Sequence, residues 1–128
     1  VILPMLKTDL VDVALATLNN TIADIPMDWE TSTSVGVVMA SKGYPDSHED
    51  GVCIEGIDSV GDEVMVFQAG TQMRGEKIVT HGGRILTVVS VDQTIDQARQ
   101  KVYDNLSRIR FTGAQFRSDI GLTAKTTF

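Results

Sequence analysis

Residues 66–86, VFQAGTQMRGEKIVTHGGRIL, constrain this chain most. They read as two strands joined by a tight turn, with residues 73–75 at the tip and a glycine-flanked polar segment at each end. Ala69-Gly70-Thr71 closes the first strand, and His81-Gly82-Gly83-Arg84 opens the second. The rest of the chain reads as scaffold around these two loops.

Thr8-Asp9 caps a helix predicted over residues 9–18, with Leu10, Val13, Ala14, Thr17 and Leu18 on one face. Leu6 is placed to fold back onto that face. Residues 19–34, with Pro26, Trp29 and a Thr-Ser run, read as a connector in which Trp29 anchors the chain to a neighbouring surface. Residues 35–40 are nearly all apolar and β-branched, which predicts a buried central strand. A polar loop over 41–51 leads to a short strand at 52–57, and Gly61-Asp62 turns the chain into a strand at 63–69. Residues 84–91 have the strongest β propensity. Thr94-Ile95-Asp96-Gln97 forms a capping box for a helix to about residue 109, whose stripe is Ile95, Ala98, Val102, Leu106 and Ile109. Residues 111–121 close the domain, and residues 124–128 are expected to fray. The fold class is α+β: an antiparallel sheet of short strands with a packed C-terminal helix, preceded by one further helix.

Composition narrows the function. The chain has 128 residues, 42% of them hydrophobic and 22% charged, which suits one globular domain. Its net charge of −6 argues against nucleic acid as the main partner, because phosphate neutralisation needs clustered Lys and Arg. No run approaches the roughly 18 apolar residues of a membrane span. Cys53 is the single cysteine, so no internal disulfide forms, and a reducing compartment such as the cytoplasm fits best. The chain opens at Val1 inside what reads as a strand, Val-Ile-Leu-Pro, which is expected of a piece of a longer protein.

Gly82-Gly83-Arg84 is the most suggestive triplet. Two glycines let the backbone approach a ligand and expose amides, and a guanidinium beside them can grip a carboxylate or phosphate. The plainer reading is a glycine turn before a strand, with Arg84 solvated or paired, and on residues alone that reading leads. Gly70 and Thr71 offer an amide and a hydroxyl, or else mark a strand bend. Lys42-Gly43-Tyr44-Pro45 offers an ammonium and a phenol, or else a surface turn. His48 and His81 form no local metal motif, and Cys53 reads as a small core residue. No catalytic triad stands out, so neither a catalytic residue nor a metal ligand is assigned.

Taken together, four motifs resemble the phosphoribosylamine–glycine ligase family. They are Lys42-Gly43-Tyr44-Pro45, Phe67-Gln68-Ala69-Gly70-Thr71, Thr80-His81-Gly82-Gly83-Arg84-Ile85-Leu86 and Arg117-Ser118-Asp119-Ile120-Gly121, in the family's order and spacing. The opening Leu3-Pro4-Met5-Leu6-Lys7-Thr8-Asp9-Leu10 is similar to the segment just ahead of the family's C-terminal domain. The resemblance departs from the family at Gln68, where His is expected, and at Asp46-Ser47-His48, where Gly-Asp-Tyr is commoner.

The resemblance implies an ATP-grasp ligase of purine biosynthesis. ATP phosphorylates the glycine carboxylate, and the amine of 5-phosphoribosylamine attacks the acyl phosphate to give glycinamide ribonucleotide. ATP and the bridging Mg²⁺ or Mn²⁺ would be held by domains that precede Val1. Residues 1–30 would be the tail of the ATP-grasp region with its connector, and residues 31–128 the C-terminal domain. Gly70, Thr71, Gly82, Gly83 and Arg84 would bind substrate, and the chain alone would be inactive. The alternative is a stand-alone anion-binding or interaction domain of the same fold without catalysis.

Overall fold

The computed structural model describes residues 1–122, so the expected fraying at residues 124–128 lies outside them. A nine-residue helix α1 (Leu10–Leu18) precedes strand β1 (Thr33–Ala40). Strands β2 (Met65–Gln68), β3 (Thr71–Arg74), β4 (Lys77–Thr80) and β5 (Arg84–Asp92) follow, and helix α2 (Ile95–Leu106) comes last. All strand pairs are antiparallel, and the fold is α+β.

The stretch 66–86 is more folded than one hairpin. Its outer arms pair as β2 with β5, and its inner arms pair as β3 with β4 in a separate two-stranded sheet. The two pairs are hinged where the glycine segments face each other.

β5 is the middle strand of the order β1-β5-β2, so β1 is an edge strand and not the expected central one. The apolar run in β1 has a different cause. Val35, Val37 and Met39 are buried in the core, while Val38 on the opposite face is 41% exposed. An apolar run reports that both faces are apolar, not how many strands flank it. The expected strand at 52–57 is also absent as a ladder. Cys53 and Glu55 make only isolated bridges, to Val79 and Arg110, although Ile54 is buried as expected.

α2 lies across β5 and β1. Ala98, Val102 and Leu106 are buried against Val35, Val37, Leu86 and Val88, which makes this interface the core. The Thr94 hydroxyl caps the helix, accepting from the Gln97 amide and donating to its side-chain oxygen. The helix ends at Leu106, earlier than expected, and Ile109 stays in the core from the following turn. Lys101 reaches back to Asp92 at 2.6 Å, and its hydrogen bond holds that carboxyl below the usual carboxylate range. Buried Asn105 ties the helix to the approach to β2. Its amide donates to Glu63 Oε1 at 2.9 Å, and its oxygen accepts the Gly61 amide at 2.8 Å.

α1 differs most from expectation. Asp9 caps it through the Val11 amide, as read, but Ala16 is its buried residue, while Leu10 is 52% and Leu18 77% exposed. Leu6 bridges to Trp29, which is itself half exposed.

Candidate functional site

The hinge of the double hairpin is built from backbone. The Gly70 amide donates to the carbonyls of Arg84 and Ile85, at 2.9 and 3.0 Å, and the His81 amide donates to the Gly70 carbonyl at 2.8 Å. A Cβ on Gly70 would lie 2.5 Å from the Arg84 carbonyl oxygen and 2.9 Å from that of His81. Only glycine fits there without movement. The structure thus brings the 69–71 and 81–84 segments together.

The 41–51 loop joins them. The Ser41 amide donates to the Gly83 carbonyl at 2.8 Å, and the Tyr44 ring lies against Gly83, where a Cβ would come within 2.7 Å of it. Gly82, at φ +124°, donates its amide to Asp50 Oδ1 at 2.7 Å. Sequence reasoning missed Asp50. It also left His48 and His81 apart, although both lie beside that carboxylate, at 3.7 and 3.3 Å. The Gly82 hydrogen bond, ahead of the two imidazoles, holds the Asp50 carboxyl below the usual carboxylate range.

Most polar groups of this rim are therefore occupied internally. The Gly70 and Gly82 amides are spent, and the Thr71 hydroxyl donates to Gln68 Oε1 at 2.9 Å. Two donors differ. Among the described residues, neither the Gly83 amide nor the exposed Arg84 guanidinium has a hydrogen-bond or ion-pair partner. The β1–β5 register slips beside Arg84, from Met39 opposite Leu86 to Ala40 opposite Arg84. Ile85 is the extra residue, and Ile85 and Leu86 are both buried in succession. Such a bulge re-aims the side chain next to it. An amide and a guanidinium side by side suit an oxyanion.

Cys53 is half-buried, and Lys42 is exposed at the foot of the Tyr44 loop. The Arg117-Ser118-Asp119-Ile120 segment is bound to α2: Arg99 donates to the carbonyls of Ser118 and Ile120, and the Tyr103 hydroxyl donates to that of Arg117. Among the described residues, no group of three or more His, Cys, Asp or Glu side chains is placed to hold a metal ion. No helix among them is long and apolar enough to cross a membrane.

Fold and rim define an α+β domain with a glycine-braced edge at which three loops meet. The family model for the phosphoribosylglycinamide synthetase C domain matches residues 34–123. The chain belongs to that family. It is 40% identical over 124 residues to the phosphoribosylamine–glycine ligase of Halalkalibacterium halodurans, covering 97% of this chain and 28% of that protein. It is 41% identical over 128 residues to the human trifunctional purine biosynthetic protein adenosine-3, covering 12% of it. A crystal structure of phosphoribosylamine–glycine ligase from Thermotoga maritima superposes with a TM-score of 0.74 at 32% identity, over 87% of this chain and 27% of that one. The chain thus spans little more than a quarter of the length of these single-function ligases.

Proposed function

We propose that this chain is the C-terminal part of a phosphoribosylamine–glycine ligase, and that its rim faces the anionic group of a substrate. One observation carries the second clause: among the described residues the Arg84 guanidinium and the Gly83 amide are unpartnered, while the Gly70 and Gly82 amides and the Thr71 hydroxyl beside them are spent. Gly70, Thr71 and Gly82 frame the pair. In a closed site, fixed donors of this kind stabilise charge where it gathers. The glycine carboxylate and the acyl phosphate formed from it by ATP are the groups such a pair would hold while the amine of 5-phosphoribosylamine attacks.

The nucleotide and its Mg²⁺ or Mn²⁺ belong, in this proposal, to the rest of an ATP-grasp enzyme of the cytoplasm. The described residues offer no metal site to fit that ion. Residues 1–30 are the tail of the ATP-grasp region and residues 31–128 the C-terminal domain. The start of the family match at residue 34 and of β1 at Thr33 supports this division. The exposed Leu10 and Leu18 on α1, with Val38 and Phe67 on the open face of the sheet, are the surfaces the remaining domains would cover.

Kinetics of the whole ligase test the reading. Arg84→Ala should lower kcat/KM about 100-fold while leaving the urea midpoint unchanged, and the isolated chain should form no product in the same assay. Near-normal kinetics in Arg84→Ala would return Arg84 to a solvated surface residue.

A further inference from the structure

The rim's remaining polar groups converge on one carboxylate. Asp50 Oδ1 accepts the Gly82 amide at 2.7 Å and lies 3.7 Å from His48 Nε2, and Asp50 Oδ2 lies 3.3 Å from His81 Nδ1. The backbone carrying Asp50 is laced in place. The Gly51 amide donates to the Thr80 carbonyl at 2.7 Å, and the Thr80 hydroxyl donates to the Glu49 carbonyl at 2.8 Å. The Glu49 amide donates to Ser41 Oγ at 3.0 Å. Thr80 and Ser41 are both buried, so these ties are shielded from water and hold firmly.

The glycine pair is fixed from both sides as a result. Asp50 holds the amide of Gly82, and Ser41 holds the carbonyl of Gly83. The Gly83 amide lies between those two points. Two successive glycines are otherwise the freest backbone in a chain, and ordering them at binding would cost affinity. Anchoring them beforehand removes that cost.

We propose that Asp50, seated between His48 and His81, is a positioning residue of the rim. It holds the Gly82 amide so that the Gly83 amide and the Arg84 guanidinium present a preformed cradle to a substrate oxyanion. This rests on the proposed function, and it adds how the site is organised. The ligand chemistry is a carboxylate or a phosphate, supplied either by glycine or by phosphoribosylamine.

The test has two arms. In the whole ligase, KM and kcat are measured for Asp50→Ala, Asp50→Asn and Arg84→Ala, varying glycine and phosphoribosylamine separately. Asp50→Ala should raise one KM about tenfold with kcat within about twofold. Asp50→Asn keeps an acceptor for the Gly82 amide and should return that KM to within about threefold of the parent. A glycine effect assigns the rim to the carboxylate, and a phosphoribosylamine effect assigns it to the phosphate. Both KM values unchanged in Asp50→Ala, with Arg84→Ala impaired, overturns the positioning role and leaves the rim standing. A silent Arg84→Ala overturns the rim itself. The second arm follows the Gly82 amide of the 128-residue chain by NMR. Its proton should lie downfield in the parent, move upfield in Asp50→Ala and largely return in Asp50→Asn; a shift indifferent to Asp50 overturns the proposal whatever the kinetics show.

Discussion

Gly70 shows how one residue type sets the geometry of the rim. The reason is proximity: two carbonyl oxygens occupy the space where a side chain would begin. Gly70→Ala must push the Arg84 and His81 carbonyls apart and open the hinge. The expected cost is about 1–3 kcal/mol of stability, read from urea unfolding, with Gly82 and Gly83 amide shifts moving in the same variant. Unchanged stability would mean that the hinge yields freely. The sequence carried the glycines and Arg84 because they are contiguous. It could not carry Asp50, whose partner Gly82 is reached only through the fold of the 41–51 loop. His48 and His81 illustrate the same limit: no local spacing joins them, yet one carboxylate lies beside both. The register slip beside Arg84 was equally hidden, since a bulge at Ile85 is a property of the pairing with β1 and not of β5 alone.

At the level of elements, α2 was the most legible part of the chain. Its cap and its apolar stripe are local patterns, and both recur in the structure. β1 was legible as a strand but not as an edge, because periodicity reports which faces are apolar and not which neighbours a strand has. α1 was legible in extent and not in orientation, since an apolar face does not say whether its partner lies within the same chain. The tie between α2 and the turn that leads into β2 was not visible at all. It runs through Asn105, a polar residue on the buried side of the helix, fully satisfied by Glu63, Gly61 and the Lys101 carbonyl. Buried polar groups are tolerated when every bond is made and costly when one is lost. Asn105→Ala strands the Gly61 amide and should cost about 2–3 kcal/mol in urea unfolding. A loss within about 0.5 kcal/mol, the range of surface substitutions, would show that water replaces the side chain without penalty.

The whole molecule has two contrasting sides. One face of the sheet is closed by α2 and holds the core, while the other keeps Val38, Met65 and Phe67 exposed. The rim lies at the start of β5, where three loops meet. The core and the proposed recognition edge are thus separate, which lets substitutions at Arg84 be read as function and those at Asn105 as stability. The central claim is that the edge faces a substrate oxyanion inside a larger ligase. Its most direct test is a structure of the whole ligase with glycine and a non-hydrolysable ATP analogue, or with product. The account predicts a carboxylate or phosphate oxygen about 2.7–3.1 Å from the Arg84 guanidinium and from the Gly83 amide. A bound ligand on the far side of the domain, with Arg84 in bulk solvent, would contradict it.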